Sequence, residues 1–564
     1  IFDAMDEHLA PGVQERCLLA LAVLSNGGDI LTRQREPASE EATSPGVDRQ
    51  RRVDCIIGAM RRHGSAEGVQ AQGSRVVSRL VTLSEGNRVA VVRSRGIEAL
   101  LHVVRYRGRG TCAQEYACAA LSTLALCSGS NRAAIATAGG LVDVLTVMRD
   151  IQAPQLQSES LSTLTHLTHG YPENQLEMAT AGAAALVSKA MVTNPTLESI
   201  QTSGCALLVA MVVVVSHGDR HRFLEEGVVQ AVANAMKLCA SISIQEGGVR
   251  IIHLLLGAGV TDCGVAGWPH PCALDVVIPA MCALPGSALV QEHGCGALAF
   301  LSRLTACASE MRASLGVGLV LQALQTHKDV CAVQEKGCDA LGDYASSDVG
   351  LQSVIAMERG TELVLEAMRA FPAHWRMQEV GLRALSGLAR GRDDVKRRIG
   401  EAHGFKVVIS ALQCHQSECG VQRNGCVAVV SLAQSHWQSQ QVFADEGGLK
   451  VVVAAMRSHV AVSDLQEEGC WAIASLAENN PENQVGIVAA GGLEAILFAM
   501  REHAEHKGVQ ERGCFALASL ACSGQVRDRV GQAGGLDAVI AAMRAHPEVA
   551  SVQEEGCAAL ANIT

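Results

Sequence analysis

Apolar positions recur at helical spacing along this chain. In Asn131–Asp150, Ile135 and Ala138 mark a short helix opened by Asn131, a residue type that caps helix N-termini. Gly139 and Gly140 permit a sharp turn there. Leu141, Val144, Leu145 and Met148 then fall at i, i+3, i+4 and i+7, which predicts an amphipathic helix. After a short break, Leu161, Leu164 and Leu167 predict a third helix over Gln157–Leu167. No stretch alternates in the manner of a strand.

This unit of one short and two longer helices repeats. Its third helix opens on Val-Gln-Glu-x-Gly-Cys, clearest at Val509–Cys514. The motif glutamine falls at Gln14, Gln70, Gln114, Gln157, Gln201, Gln245, Gln291, Gln334, Gln378, Gln422, Gln466, Gln510 and Gln553. After a first step of 56 residues, the steps are 43 to 46. A fixed period in this range predicts a stacked array whose units contact only their neighbours. That overrides the several globular domains a chain of 564 residues would otherwise suggest.

Three regions follow: a partial repeat (1–26), a polar insertion (27–52) and the array proper (53–564). The insertion holds Pro37, Ser39, Glu40, Glu41, Ser44, Pro45 and Gly46 with Arg33, Arg35, Arg49, Arg51 and Arg52, the composition of an exposed basic loop. It accounts for the long first step. Between Leu254 and Val290 the pattern frays, and Trp268, Pro269, His270 and Pro271 break the short helix, so a bend or local loop is expected. The chain opens on Ile1 rather than methionine and stops at Thr564 inside a helix pattern, as expected of a piece of a longer array.

Composition refines this picture. Apolar residues are 48% and aromatics 3%, a core of Ala, Leu, Val and Ile. A net charge of −11 argues against nucleic acid as a partner. Eight of the 21 cysteines (Cys118, Cys205, Cys295, Cys338, Cys426, Cys470, Cys514 and Cys557) stand four residues after the motif glutamine. Equivalent positions in stacked helices lie roughly 8–10 Å apart, beyond the ~7 Å Cα reach of a disulfide. Buried free thiols and a reducing compartment are therefore expected, the cytoplasm with the nucleus as the second choice. The longest apolar run, Ala206–Val215, is too short to span a bilayer.

Two recurrent polar residues have physical readings. The motif glutamate, as in Glu15, Glu115, Glu335, Glu467 and Glu554, places an acid at the positive end of a helix dipole. Seven histidines (His8, His63, His327, His415, His459, His503 and His546) fall where second helices end, near the negative pole. Candidate chemistry is sparse. There is no Walker loop and no Gly-x-Ser-x-Gly, and the Gly-Gly pairs join helix to helix. Cys263, His270, Cys272 and Cys282, and likewise Cys414, His415 and Cys419, lack the paired spacing of structural zinc. Neither a catalytic residue, a metal, a cofactor nor a small-molecule substrate is expected.

The pattern Asn-x-x-x-Ile-x-x-Ala-Gly-Gly-Leu, then an apolar helix, then Val-Gln-Glu-x-Gly-Cys-x-Ala-Leu resembles the armadillo repeat. Asn131–Leu141, Gln484–Leu493 and Val526–Leu536 carry its first part. Val333–Leu341, Gln466–Leu476, Val509–Leu520 and Val552–Leu560 carry its second. The flavour is similar to armadillo arrays of protist and algal proteins and of leucine-rich-repeat kinase N-terminal regions. The resemblance implies an all-α, right-handed α-solenoid of about twelve three-helix repeats. It implies a binding scaffold whose third helices line a concave groove for a protein or extended peptide.

In importin-α and β-catenin the groove carries an asparagine ladder, and importin-α adds tryptophan one turn earlier. The asparagine position, nine after the motif glutamine, holds Ser431, Ser475, Ser519 and Asn562 in the last repeats; the tryptophan position holds Trp471 and Phe515. These six are the candidate partner-binding residues. The alternatives are an importin-α-like nuclear transport adaptor, or the non-catalytic regulatory arm of a larger kinase or ubiquitin ligase.

Overall fold

The computed structural model describes residues 1–31, 45–106, 111–257, 270–303 and 316–564. The chain forms two compact units, Ile1–Val276 and Val277–Thr564. Each is a stack of helices, with no strand among the described residues. A repeat of the first unit runs Gly129–Thr137, Gly140–Asp150 and Pro154–Thr168; one of the second runs Pro481–Ala489, Gly492–Glu502 and Lys507–Leu520. In each unit successive third helices pack directly along one another, more closely than the first or second helices do. The third helices therefore lie on the inner side of each stack.

The motif glutamine explains the register. In every one of the thirteen copies its Nε2 donates to two carbonyls at the end of the preceding second helix. Gln466 reaches Met456 O at 2.8 Å and His459 O at 2.9 Å. Gln157 reaches Met148 O at 2.7 Å and Ile151 O at 2.6 Å. A helix C-terminus leaves such carbonyls without intrahelical donors, and a buried side-chain amide fills the gap. Three residues on, the motif glycine removes the side chain that would keep the two helices apart. A Cβ on Gly469 would stand 2.5 Å from Met456 Cγ, and one on Gly513 would stand 2.5 Å from Met500 Cγ. The next residue, the motif cysteine, is fully buried at Cys118, Cys295, Cys338, Cys426, Cys470 and Cys514. No described cysteine is in a disulfide.

Other ties join one repeat to the next. The expected C-terminal histidines cap their second helices and also point backward. His415 Nε2 donates to Pro372 O at 2.8 Å, His459 to Gln416 O at 2.8 Å, His503 to Val460 O at 2.7 Å and His546 to Ala504 O at 2.8 Å. First helices point forward. Gln352 donates to Gly387 O at 2.9 Å and Arg390 O at 2.9 Å, Lys396 to Gln434 O at 2.9 Å, and Gln440 to Ser475 O at 2.9 Å. Each donor meets carbonyls at the end of the next third helix. Buried polar side chains thus serve as caps, as burial requires of them.

The motif glutamate differs from its expected role. Apart from Glu115 it lies past the first turn of its own helix, as Glu511 does in Lys507–Leu520, and its carboxylate reaches the first turn of the next third helix. Glu511 accepts from Ser551 Oγ at 2.6 Å, and Glu335 meets Arg376 Nε at 3.0 Å. Side chains on Gly420 and Gly508 would collide with the carboxylates of Glu379 and Glu467. The favourable dipole is therefore chiefly that of the neighbouring repeat.

The polar insertion is shorter than its sequence suggests. Pro45–Arg62 is an 18-residue helix that ends on the capping pattern, since Gln70 reaches Met60 O and His63 O. Residues 45–52 therefore belong to a second helix and not to a loop. Arg52 is held by Asp48 at 2.5 Å, an i,i+4 pair that favours helix. Arg33 and Arg35 lie outside the described residues.

In the frayed region, Trp268 and Pro269 also lie outside them. His270–Ala283 is a helix containing Pro279, and Gln291 still reaches Met281 O and Leu284 O. The repeat register therefore survives there. No single described helix is long and apolar enough to cross a membrane.

Candidate functional site

Along a third helix, residues one, two, five and nine after the glutamine fall on one side by helical geometry; in Ser463–Ala477 and Lys507–Leu520 the first three are partly exposed and the ninth is buried. In Ser463–Ala477 these are Glu467, Glu468, Trp471 and Ser475; in Lys507–Leu520 they are Glu511, Arg512, Phe515 and Ser519. The structure places the two aromatics in matching positions on adjacent helices, both half-buried. Arg512 lies over Trp471, its Cζ 4.0 Å from the ring centroid. A guanidinium above an indole face is an attractive pairing.

The other four candidates are less available than their register suggested. Ser431, Ser475 and Ser519 are 7%, 1% and 7% exposed. Ser431 Oγ pairs with Ser386 Oγ at 2.8 Å, and Ser519 Oγ donates to Phe515 O at 2.9 Å. Ser431 is committed to the neighbouring third helix and Ser519 to its own. Ser475 Oγ is buried without a hydrogen-bond partner. Asn562 Nδ2 donates to Ala518 O at 3.0 Å, one repeat back, and contacts Cys522 Sγ at 3.4 Å. Serine is too short to reach past the aromatic row, and the sole asparagine of the set is spent on its neighbour.

A second feature had no signal in the motif. Arg303 pairs with Asp343 at 2.7 Å, and Arg383 bridges Asp339 and Asp343, the latter at 3.4 Å. Burial raises the Asp343 carboxyl, opposed by Arg383 and Arg303. The partners are 40 or 44 residues apart, so only the repeat register could have paired them in sequence. Cys414, His415 and Cys419 do not assemble a metal site; no cluster of three ligating residues occurs among the described residues, and His415 Nε2 is bonded to Pro372 O. Cys263 lies outside the described residues.

These stacks, tied carbonyl by carbonyl and open along their third helices, define a helical repeat protein of the solenoid class. Over the latter part of the chain the sequence is similar to an armadillo-repeat family. A model of the LRRK2 ARM repeat matches residues 301–480 and 393–564. A solved structure concerned with a conserved phosphorylation switch that controls the interaction between cadherin and beta-catenin superposes with a TM-score of 0.70. The match covers 100% of this chain and 98% of that one at 12% identity, so the likeness is one of fold. An engineered protein matches at 20% identity over 83% of this chain and 98% of its own, TM-score 0.48. A designed armadillo repeat protein in complex with the peptide (KR)4 matches at 18% identity over 44% and 99%, TM-score 0.39. No curated protein matches the chain in sequence. The fold of each unit is thus an all-α solenoid stack of the armadillo type.

Proposed function

We propose that the array is a protein-binding scaffold that holds a protein or extended peptide along the open face of its third helices, with no catalysis of its own. One observation carries this reading. The glutamine that ties repeats together recurs in every copy, whereas the residues two and five after it change from copy to copy and present Trp471 and Phe515 in register, both partly exposed. Stacked arrays build long recognition surfaces in this way. Aromatic residues suit such a surface because they bring large contact area.

The nuclear-transport alternative gains little support, because Asn562 and the serines have their hydrogen bonds inside the stack or are buried. The regulatory-arm alternative describes the same surface within a larger chain. The free buried thiols favour a reducing, cytoplasmic setting.

Peptide-display selection on the purified chain tests the reading. Enriched peptides are re-measured against wild type and the double variant Trp471→Ala, Phe515→Ala. Binding should fall on the order of tenfold, as for aromatic anchors of an interface, while helicity and melting stay near wild type. Peptides that bind the variant equally well would remove the third-helix face from the function.

A further inference from the structure

Among the first helices of the repeats, Ser84, Ser128, Asp348, Asn480 and Ser523 each accept a backbone N–H near the helix start. In Trp437–Asp445 a histidine stands in that place. His436 Nδ1 accepts the Ser439 N–H at 3.2 Å and lies 2.8 Å from Ser439 Oγ. A backbone N–H can only donate, so this ring nitrogen must present its lone pair. Serine and asparagine caps have no proton to gain near neutral pH, whereas an imidazole does. The residue before the cap, Ser435, sits at φ 54°, a left-handed conformation uncommon outside glycine.

The surroundings oppose a proton on this ring. It stands at the positive end of a helix dipole. Beside it, the preceding first helix Asp393–Glu401 supplies Lys396, which is 5% exposed and donates to Gln434 O at 2.9 Å. Asp393, the nearby acid, is already paired with Lys396 at 3.1 Å. Burial holds the His436 ring below its ordinary value of 6.5; Asp393 opposes this, and Lys396 and Arg397 reinforce it. The other helices packed against Trp437–Asp445 bring Lys406, Arg423, Lys450, Arg457 and Glu482, with Asp464, Glu467 and Glu468 at the start of Ser463–Ala477, and Asp445 closes the capped helix itself.

The capped helix is a tie between repeats. Gln440 Nε2 donates to Ala433 O at 3.2 Å in its own repeat and to Ser475 O at 2.9 Å in the next. Asn480 and Asn483 donate back to Gln440 Oε1 and O, both at 3.3 Å. We infer that His436 is a proton-operated latch on this joint: unprotonated, it caps Trp437–Asp445 and keeps Gln440 on Ser475 O, and protonation frees the helix start and loosens the joint. A protonated Nδ1 can turn only to Ser439 Oγ, which leaves the Ser439 N–H without its acceptor. The folded ring takes up its proton at lower pH than the unfolded chain does. The stability from the cap is therefore whole above pH 6.5 and is lost as pH falls through the folded value.

The experiment is hydrogen exchange read by mass spectrometry on the full chain at pH 7.5 and 5.0, corrected for intrinsic exchange. Protection of Trp437–Asp445 in wild type should fall on the order of fivefold at pH 5.0, the loss of one cap. Val349–Met357, capped by Asp348, should fall less. His374 and His506 cap third helices through Nδ1 in the same way, so variants assign the effect. His436→Asn installs the cap of the next repeat and should keep protection of Trp437–Asp445 level between the two pH values. His436→Ala should lower it at pH 7.5 to about the wild-type value at pH 5.0. A wild-type helix equally protected at both pH values, or a fall that persists undiminished in His436→Asn, would overturn the inference.

Discussion

The twofold donation by the motif glutamine is the most quantifiable claim about the stack, and Gln510→Met isolates it. Methionine keeps the length and most of the volume of glutamine but has no N–H. In the native array Gln510 Nε2 donates to Met500 O and His503 O, both at 2.9 Å, and the residue is 2% exposed. The two carbonyls are not equally dependent on it. His503 O also accepts from the His506 N–H at 2.9 Å, so it keeps a donor. Met500 O has no such backbone donor beyond the helix end and would be left buried and unpaired. An unpaired buried carbonyl costs ~1–3 kcal/mol, so the substitution should destabilise the local joint by about 2 kcal/mol, most of it at Met500. That is roughly a thirtyfold increase in local opening. Because each repeat contacts only its neighbours, the loss should be local. Hydrogen exchange read by mass spectrometry should show protection falling by about that factor in Gly492–Glu502 and Lys507–Leu520. The helices Gly404–Cys414 and Cys419–Ala433 should stay near wild type. Unchanged protection would mean that the amide does not cap the helix. A uniform fall along the unit would mean that the repeats are not joined pairwise.

Gly469→Ala should cost ~1–3 kcal/mol by overpacking, because the new methyl meets Met456, and Met456→Ala in the same chain should recover part of the loss in urea titrations. If the glycine served only backbone freedom, the second change would not help. The buried thiols give a pH signature. Burial pushes Cys118, Cys205, Cys295, Cys426 and Cys514 up to about 12 from an ordinary value of 9.0. Folded arrays keep these thiols protonated while unfolded chains ionise them, so the stability from this source is whole below pH 9 and falls between pH 9 and 12. The slope approaches 1.4 kcal/mol per pH unit for each thiol, and Cys426→Ala should reduce it. An identical alkaline slope in that variant would refute the assignment.

Periodicity made the helices legible because each must bury a stripe, and a stripe leaves a 3.6-residue signature that single residues carry openly. The motif glutamine, glycine and cysteine were recognisable as a structural joint because they recur in one register. What each does was not recognisable. The backward bond of His459, the forward bond of Gln440 and the forward reach of Glu511 each join residues about one period apart, and no local pattern distinguishes them from bonds within a repeat. Pro45–Arg62 was partly misread for a different reason. Its first residues are polar and arginine-rich, as a loop would be, and only the Arg52–Asp48 pairing and the later contacts of Gln70 show a helix. The serine positions were placed correctly on the third helices, but register gives the direction of a side chain and not what covers it. Ser431 meets Ser386 because both lie at the same inter-helix contact.

The division between invariant and variable positions has a mechanical consequence for recognition. Glutamine, glycine, cysteine and histidine spend their polar groups on carbonyls and close packing at each joint, so the third helices are held at fixed spacing. A fixed spacing lets a partner pay little in reorganising the scaffold, and affinity then depends on the side chains that the joints leave free. In Cys331–Ser347 and Trp375–Ala389 those side chains neutralise each other across Arg303, Asp343 and Arg383. A partner would have to break ion pairs to bind there. In the last three third helices the like-charged neighbours Glu467 and Glu554, together with burial, push the Glu468 and Glu555 carboxyls up. The two stretches therefore differ in charge, and the difference lies in side chains twelve residues or fewer beyond each motif glutamine.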